Sequence, residues 1–318
     1  MNDFEVVLVS YRSRHHVEEL LQIWPDDLPV AVVDNSADSD GISTLVAQRP
    51  SLRYLDGGGQ GFARAANLGA FSSAHDYVVF VNPDSRPTVA QLEALVAGLA
   101  ADPGAAAHAG TLTGSDGALE IGTGGWEPSV LRTAVHATGL HKRFPHSGLF
   151  AKPEPGEQVS VDWACGACLA VRTDQFRSLG GFDETFFVYA EDISFGRRVR
   201  AAGLRSVLRS DIVVPHGAGS SGAPSSEMLR IRGASFAHYV LRYHPSVSGA
   251  LMRLLFTMGG VVRAVIQRVR GNVPEARLNL ALAAGVVTRR AYVGRREVAR
   301  SRFEETGVRD SNRGLAAG

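Results

Sequence analysis

Short runs of apolar, mostly β-branched residues alternate with helix-like stretches through the first third of the chain. The apolar runs predict strands at residues 6–9, 30–33, 52–55 and 77–81. The stretches between and after them predict helices at residues 16–24, 61–72 and 91–101, the last of them capped by Thr88. Apolar runs without polar alternation are typical of parallel strands that are covered on both faces. The pattern therefore predicts an α/β fold with a mostly parallel twisted sheet flanked by helices.

The second third of the chain is less regular. Residues 105–155 are rich in Gly, His and Pro, and their weak periodicity predicts a long loop-bearing insertion. Beyond it, strands are predicted at residues 159–163, 167–172 and 206–214, and helices at residues 173–179 and 192–202. Residues 217–226 are rich in Gly, Ser and Pro and predict a flexible loop.

The charge of the chain is balanced overall but unevenly distributed. The 318 residues are 45% hydrophobic and 20% charged, which is enough for one large domain or two smaller ones. The 33 basic and 32 acidic side chains give no overall attraction to nucleic acid, so we expect no nucleic-acid partner. Residues 226–318, however, contain 16 basic and only 6 acidic side chains. The sequence thus predicts an acidic body followed by a basic tail.

Two features of the sequence favour a cytoplasmic location. The chain contains only two cysteines, Cys165 and Cys168, so we expect no disulfide framework. The N-terminal residues are acidic and lead directly into an apolar run, a pattern that differs from a secretory signal peptide. We also expect no membrane-spanning helix, because the chain has no run of about 18 apolar residues.

Polar residues follow several predicted strands, at the edge where open α/β sheets bind their ligands. Asp34 follows the second strand, and Asp84 follows Asn82 and Pro83 after the fourth. A hard divalent cation prefers such oxygen ligands and keeps water or substrate phosphates in its shell. Each carboxylate alone is equally consistent with a simple turn. His216 follows the last strand, where a structural role is its simplest interpretation.

Another polar cluster combines carboxylates with aromatic residues. Glu191 and Asp192 stand at the start of a predicted helix, where they could simply complement the helix dipole. That explanation does not account for the aromatic residues before them, Phe186, Phe187 and Tyr189. Such residues could form a partly dry wall that holds a base at a useful pKa.

Taken in order, these motifs resemble those of the family 2 glycosyltransferases of the GT-A fold, and their bacterial rhamnosyltransferase-like branch most closely. The matching segments are 33–36 (Val-Asp-Asn-Ser), 61–69 (Gly-Phe-Ala-Arg-Ala-Ala-Asn-Leu-Gly), 82–85 (Asn-Pro-Asp-Ser), 180–187 (Gly-Gly-Phe-Asp-Glu-Thr-Phe-Phe) with Glu191 and Asp192, and His216 with Gly219 and Ser220. The resemblance covers residues 4–220, about two thirds of the chain. Any one of these motifs is weak evidence of membership in the family, but five motifs in this order are improbable by chance.

The resemblance implies transfer of a sugar from a nucleoside diphosphate sugar to an alcohol acceptor, with inversion at the anomeric carbon. It implies that Asp84 binds Mg²⁺ or Mn²⁺ bridging the two phosphates, and that His216 helps to close that site. It implies that Asp192 is the general base, with Glu191 as the reserve candidate. The other residues expected to bind the nucleotide sugar are Ser10, Tyr11, Asp34, Arg64, Asn67 and Asn82. Those expected to bind the acceptor are Trp163, Gly166, Asp183 and Tyr189.

The sequence departs from the family's motifs at two positions. Gly59 stands where an Asn usually opens the motif at 59–69, and Asn82 stands where the metal motif usually has its first Asp. The second departure leaves one carboxylate, Asp84, for the metal. We therefore expect metal binding to be weak unless the nucleotide is also present.

The resemblance also implies the substrates. We expect dTDP-L-rhamnose as the donor and a lipid-linked or cell-wall glycan, such as one on polyprenyl diphosphate, as the acceptor. UDP-galactofuranose or a UDP-hexose is the alternative donor. A non-catalytic glycan-binding protein is a more distant alternative, and the surviving carboxylates argue against it. An NAD-dependent oxidoreductase is disfavoured, because the glycine run at 57–61 is followed by Arg64 where a dinucleotide fingerprint needs Gly or Ala.

Cys165 and Cys168 have the spacing of a redox pair or of half a zinc site. No second cysteine pair exists in the sequence, so a zinc site would need other ligands. The favoured interpretation is that they are small buried residues near the acceptor site.

We expect a glycosyltransferase domain at residues 1–220, with a nucleotide-binding half at 1–104 and an acceptor and catalytic half at 105–220. A helical, Arg-rich region is expected at residues 221–318, with about the last 15 residues disordered. Within it, residues 247–269 predict an amphipathic helix, with apolar residues on one side and arginines on the other.

The apolar side of this helix has two interpretations. It could pack on the transferase domain, as such stripes usually do. It could instead lie on an anionic membrane leaflet and bring the cleft to a polyprenyl-phosphate acceptor. The C-terminal helices could also support an oligomer. We accordingly expect a cytoplasmic enzyme that associates peripherally with the inner face of the cell membrane.

Overall fold

The computed structural model of the chain describes residues 3–114, 116–144, 146–217 and 225–288. Three of the sequence-based predictions therefore lie wholly or mostly outside the described residues. They concern Ser220 in the motif after His216, most of the loop at 217–226, and the disordered end of the chain.

The described residues form one eight-stranded sheet, a two-stranded ribbon and ten α-helices. The strands are β1 (Phe4–Ser10), β2 (Val30–Asp34), β3 (Leu52–Asp56), β4 (Tyr77–Val81), β5 (Ala105–Thr113), β6 (Gly124–Gly125), β7 (Gln158–Val161), β8 (Trp163–Ala164), β9 (Cys168–Arg172) and β10 (Arg205–Pro215). The helices are α1 (Arg14–Ile23), α2 (Ile42–Val46), α3 (Phe62–Phe71), α4 (Val89–Ala100), α5 (Val130–Thr138), α6 (Thr173–Ser178), α7 (Glu191–Ala201), α8 (Ser225–Tyr243), α9 (Ser246–Val269) and α10 (Val273–Val287). The ribbon pairs β6 with β8.

The large sheet has the strand order β3-β2-β1-β4-β9-β5-β10-β7 and is mostly parallel. Strands β1 to β4 are all parallel, as are β5 and β10. Strand β9 runs antiparallel between β4 and β5, and β7 runs antiparallel at the edge. The predicted α/β class is confirmed, and β4 occupies the residues predicted for it.

Successive residues of the central strands enter hydrophobic cores on opposite faces of the sheet. On one face, Val6 and Leu8 pack in a core with residues of α1, α2 and α4. On the other face, Val7 packs with residues of α3, α6 and α7. Burial on both faces explains why these strands contain apolar residues without polar alternation.

An aromatic cluster fixes the segment that leads into α7. The ring of Phe182 lies 5.2 Å from that of Phe80 on β4, 5.1 Å from Phe176 on α6 and 5.6 Å from Phe195 on α7. Aromatic pairs at such distances stabilise a fold by more than the burial of their surface area alone contributes. The chain between α6 and α7 is therefore held against the sheet at its beginning and its end.

The prediction of a loop-bearing insertion at 105–155 is wrong at its beginning. Residues Ala105–Thr113 form β5, a nine-residue strand inside the sheet, and residues Val130–Thr138 form α5. Alanine and glycine have weak strand propensity, so the sequence of β5 does not look like a strand. Its position between β9 and β10 supplies the pairing that its composition does not suggest.

Helix α9 packs on the protein through its small residues. A side chain at Gly259 would lie 2.8 Å from Ala137 on α5, and one at Gly260 would lie 3.1 Å from Ala283 on α10. Most of the large apolar residues of α9 are exposed. The interpretation that the apolar side of this helix packs on the transferase domain is therefore wrong.

By length and composition alone, α9 is also long and apolar enough to cross a membrane. The sequence-based exclusion of such a helix was thus too strict, because it required an unbroken apolar run. Length and composition alone are weak evidence that a helix spans a membrane, since single helices of soluble proteins meet the same criteria.

Candidate active site

The polar residues that follow the parallel strands meet at one edge of the sheet. Ser10 pairs with Asp34 across β1 and β2, and the Asn35 amide donates to the Ser10 carbonyl oxygen at 2.7 Å. Six non-glycine residues in the described part of the chain have a positive φ, and five of them follow these strands or precede α7. These five are Arg12, Ala37, Asp38, Tyr189 and Ala190. Such strained conformations cluster at functional sites.

Asp34 is fully buried, and both oxygens of its carboxylate accept hydrogen bonds from the protein itself. One oxygen accepts hydrogen bonds from the amide and hydroxyl of Ser36 at 2.8 and 2.7 Å. The other accepts from the Asp38 amide and from the Tyr54 hydroxyl. Burial, together with the Asp34 charge, raises the pKa of Tyr54 above its usual value. Asp34 therefore shapes the loop after β2, and its direct contact with a nucleotide stays a prediction.

Several buried polar atoms at the same edge have no hydrogen-bond partner among the described residues. They are Ser10 Oγ, Tyr11 OH, Asn35 Oδ1 and Ser85 Oγ. A buried polar atom without a partner is costly, so these atoms are suited to bind a polar ligand.

Any side chain at Gly57 would lie 2.7 Å from Asn35 Oδ1, so a glycine is required there.

Asp84 and His216, both expected at the metal site, are in contact. The Nε2 atom of His216 lies 3.2 Å from Asp84 Oδ1, and its Nδ1 lies 2.9 Å from Glu120 Oε2. The backbone fixes this arrangement, because the Gly217 amide donates to the Asp84 carbonyl oxygen at 2.9 Å. The turn after β4 and the end of β10 thus form one unit.

The electrostatics of this pair favour its charged form. Burial would raise the pKa of Asp84, but the hydrogen bond and charge of His216 outweigh it and hold the pKa below its usual value. Burial would lower the pKa of His216, but Asp84 and Glu120 together raise it. Asp84 is therefore ionised at neutral pH.

Glu191 and Asp192 begin α7 and have a different environment. Tyr189 and Ala190 turn the chain sharply with φ values of 67° and 70° immediately before the two carboxylates. Burial raises the pKa of Asp192 to about 6, although its own hydrogen bond from the Ile193 amide and the charge of Arg232 oppose the rise. A carboxyl group with such a pKa can accept a proton near neutral pH.

Tyr189 is influenced by carboxylates from both parts of the site. Burial raises the pKa of its phenol, and the charges of Arg232, Glu191 and Asp84 all act on it. Asp84 and Glu191 are therefore both near this phenol. Cys165 also adjoins this site, because the charges of Asp192 and Glu191 act on it.

Burial raises the pKa of Cys165, and that of Cys168, to about 12, so both thiols are protonated at neutral pH. Both cysteines are free.

Arg232 on α8 brings a positive charge to the site. Its guanidinium carbon lies 5.7 Å from the centre of the Tyr189 ring and 5.8 Å from that of Phe150. The side chain is exposed, and in the described part of the chain no carboxylate pairs with it. It is therefore available to an anionic ligand.

Asn67 connects α3 to the segment before α7. Its Nδ2 donates to the Phe182 carbonyl oxygen at 2.8 Å, and its Oδ1 accepts from the Phe182 amide at 2.7 Å. The Phe62 amide, one turn earlier, donates to the Phe187 carbonyl oxygen at 2.6 Å. Both ends of the Asn67 amide are thus occupied, and this geometry gives its predicted contact with the nucleotide no support.

The other predicted site residues are distributed as follows. Arg64 is exposed near the start of α3, and the Asn82 amide donates to the Ala167 carbonyl oxygen at 3.0 Å. Trp163 is buried, with its Nε1 donating to the Trp126 carbonyl oxygen at 3.2 Å. Gly166 is buried too, and a side chain there would lie 3.2 Å from Phe62. Asp183 accepts a hydrogen bond from Tyr243 at 3.0 Å and so ties the segment before α7 to α8.

Sequence reasoning missed Glu120 and Arg232. Glu120 lies in the stretch that was interpreted as a loop insertion, and no motif surrounds it. Arg232 lies in α8, within the region at 221–318 that was predicted only as helical and Arg-rich and that the resemblance does not cover. Only their position in space indicates a role.

The residues of the site can supply some of the ligands of a divalent cation. Among the described residues, no group of three or more His, Cys, Asp or Glu side chains is arranged to hold a metal ion. Asp84 offers an ionised carboxylate, and His216 offers an imidazole if it loses its proton. Two protein ligands fit a cation that takes its remaining ligands from a diphosphate and water.

The chain is similar to several known proteins. The sequence profile of Glycosyl transferase family 2 matches residues 11–151, and that of Glycosyl transferase family 21 matches residues 134–230. An N-acetylglucosaminyl-diphospho-decaprenol L-rhamnosyltransferase of Mycobacterium tuberculosis is 32% identical over 246 residues, which cover 70% of this chain and 79% of that protein. The chain belongs to the family 2 glycosyltransferases.

More distant proteins are consistent with this assignment. The rhamnosyltransferase WbbL of Escherichia coli is 23% identical over 217 residues, which cover 63% of this chain and 78% of that protein. A mannosyltransferase of Pyrobaculum calidifontis, solved in complex with GDP-mannose and Mn²⁺, superposes with a TM-score of 0.54 at 17% identity. That superposition covers 97% of this chain and 87% of the other. The fold is thus GT-A and the enzyme is a glycosyltransferase, which removes the oxidoreductase and the non-catalytic alternatives.

Replacing Asn67 tests whether it connects α3 to the segment before α7. We expect Asn67→Ala to lower the free energy of unfolding by about 3 kcal/mol, because it leaves the buried amide and carbonyl of Phe182 without partners. Urea denaturation measures the change. In Gln60→Ala, which removes an exposed hydrogen bond to Gly58, the change should stay within about 0.5 kcal/mol. Equal stability of the two variants would contradict this role of Asn67.

Proposed function

We propose that this glycosyltransferase transfers L-rhamnose from dTDP-L-rhamnose, with inversion, to a hydroxyl of a glycan on polyprenyl diphosphate, and that it requires Mg²⁺ or Mn²⁺. One observation carries the mechanism. Two carboxyl groups of opposite electrostatic character are connected through Tyr189 and Arg232. The charge of Asp84, which His216 keeps ionised, acts on Tyr189. The charge of Arg232, which packs against Tyr189, acts on Asp192, whose pKa burial raises. The substrates are proposed from the names of the rhamnosyltransferases that the chain resembles.

Asp84 and His216 would hold the cation beside the two phosphates of the donor. When bound, the cation neutralises the charge that develops on the departing nucleoside diphosphate. Glu120 orients the His216 ring through Nδ1, which leaves Nε2 directed at Asp84. Such a partner behind a ligating histidine fixes the orientation of its ring.

Asp192 would take the proton of the acceptor hydroxyl as that oxygen attacks the anomeric carbon. A single displacement, with the acceptor on one face of the sugar and the leaving group on the other, inverts the configuration. It needs one base and one stabilised leaving group, and these are the tasks suited to Asp192 and Asp84. Glu191 is the alternative base, because it adjoins the same site.

Arg232 would add a second positive charge for a diphosphate. Its guanidinium rests against Tyr189 and has no carboxylate partner among the described residues. Arginine binds phosphate oxygens in a bidentate geometry, which suits either the leaving group or the diphosphate of the acceptor.

The unpartnered atoms after β1 and β2 support a nucleotide-binding half at residues 1–104. Ser10 Oγ, Tyr11 OH and Asn35 Oδ1 could each bind a polar atom of the base or ribose. Residues 105–220 would then supply the acceptor and catalytic half, with Trp163, Gly166 and Tyr189 near the acceptor. Residues 221–318 form a third unit in this proposal, and α8 connects it to the site.

The proposed substrates predict the outcome of a donor panel. With Mg²⁺ or Mn²⁺ and a polyprenyl-linked glycan, dTDP-L-rhamnose should release nucleoside diphosphate faster than UDP-galactofuranose, UDP-glucose or UDP-N-acetylglucosamine. Released diphosphate is measured with a coupled assay, and the same reactions with EDTA are the control. If another donor reacts fastest, the proposed donor is wrong. If no donor reacts, the proposed reaction is wrong.

The division of labour predicts different defects for the two aspartates. Asp192→Asn should lower kcat by about 10²–10⁴, the usual contribution of a positioned base, and leave nucleotide binding in the presence of Mn²⁺ near the wild-type value. Asp84→Asn should instead remove the Mn²⁺-dependent part of nucleotide binding. Isothermal titration with dTDP, with and without Mn²⁺, separates the two effects. Equal loss of binding in both variants would contradict these roles.

The raised pKa of Asp192 predicts an acid limb in the pH profile. A base works only when ionised, so kcat/KM should fall about tenfold per pH unit below about pH 6. Asp84 stays ionised in this range because its pKa is lowered. The limb should persist in Glu191→Gln and vanish in Asp192→Asn. The reverse result would identify Glu191 as the base.

A further inference from the structure

Helix α9 exposes a continuous apolar surface, which we call the α9 face. It consists of eight large apolar residues, each at least 41% exposed: Val247, Leu251, Leu254, Met258, Val261, Val262, Val265 and Val269. At 100° per residue they fall within an arc of about 100°, and no charged residue of the helix lies within that arc. From Val247 to Val269 the face is about 33 Å long. Apolar patches of this extent mark interaction sites.

The α9 face cannot be accounted for by packing within the described chain. The opposite side of the helix supplies the contacts, through Gly249, Gly259 and Gly260 against α8, α5 and α10. Arg253 and Arg263 also face α10, where they donate hydrogen bonds to the Val286 carbonyl oxygen and to Asn279. The helix is therefore fixed on one side, and its apolar side is presented outward.

Basic residues border the α9 face at its C-terminal end. Arg268 and Arg270 are both exposed there. Residues 289–302, which lie outside the described residues, add six arginines and one acidic residue to the sequence. An anionic partner would thus be attracted to the basic end of the face.

We propose that the α9 face lies on the surface of an anionic lipid bilayer, with the helix parallel to the membrane plane. The combination of an apolar face without charges and bordering arginines is that of an interfacial helix. The arginines add attraction to anionic headgroups, which weakens with salt. This inference goes beyond the proposed reaction, because it rests on residues outside the site.

Two other arrangements fit the observations less well. In a two-fold dimer, the α9 face would bury against its own copy, and its bordering arginines would gain no anionic partner. If α9 spanned the membrane, the side of the helix that carries Arg253 and Arg263 would have to enter the hydrocarbon core of the bilayer. The helices packed on that side would have to enter it too. A bilayer surface satisfies both the apolar face and its charged border.

Sedimentation of the full chain with lipid vesicles tests the proposal without donor or acceptor. We expect the wild-type chain to sediment with vesicles of phosphatidylcholine and phosphatidylglycerol at low salt. It should sediment less at high salt, and less with phosphatidylcholine alone. Met258→Glu, at the centre of the face, should weaken binding to the anionic vesicles at least about tenfold, because burial of one such side chain contributes about that factor.

Ile23→Glu is the matched control. Ile23 on α1 is 54% exposed, as is Met258, and both substitutions add one negative charge. The control should bind as the wild type does, and both variants should keep the wild-type melting temperature within a few degrees. Equal weakening in the control would show that only net charge matters and would overturn the proposal.

Two further outcomes would also overturn it. The wild-type chain could remain in the supernatant with anionic vesicles at low salt. Alternatively, it could be a dimer by analytical ultracentrifugation that Met258→Glu converts to a monomer, which would assign the α9 face to a second copy. Because no substrate is present, failure of the donor panel leaves this result intact, and failure here leaves the proposed reaction intact.

Discussion

Parallel strands that are buried on both faces place their polar residues at one edge of the sheet. In this chain, β1, β2 and β4 have no polar alternation, so the first polar side chains follow their carboxyl ends. Strand β9 then inserts next to β4 in the opposite direction and leads through α6 to the segment before α7. That insertion brings Glu191 and Asp192 to the edge that already carries Asp84. The site thus follows from how the sheet is buried and ordered.

The two aspartates of the site differ because their surroundings differ. Asp84 contacts a histidine whose other nitrogen is held by Glu120, and the resulting charge outweighs the cost of burying the carboxylate. Asp192 is half-buried with weaker compensation, so its pKa rises. A charge at one position and a proton acceptor at the other are what a displacement with an anionic leaving group requires. The proposed division of labour rests on this contrast.

Much of the fold could be predicted from local sequence. The strands of the first third and three of its helices, α1, α3 and α4, were found, since continuous apolar runs and the Thr88 cap are local signals. The cap is confirmed by its hydrogen bond from the Gln91 amide. The short helix α2 was missed. Strand β5 was missed, because it depends on pairing between strands distant in sequence. Helix α8 contains no motif, so it was predicted only as part of the helical region at 221–318. Asn67 illustrates a further limit, because its contacts with Phe182 span 115 residues of sequence.

The central claim is that the cation and the diphosphate lie at Asp84, apart from the carboxylates of α7. Crystals grown with Mn²⁺ and dTDP test it directly, because the anomalous scattering of manganese marks the metal independently of any assumption about the residues. We expect one anomalous peak within coordination distance of an Asp84 oxygen, with the diphosphate completing the metal's ligands and Asp192 outside its shell. A peak coordinated by Glu191 or Asp192, with Asp84 still bound to His216, would contradict it.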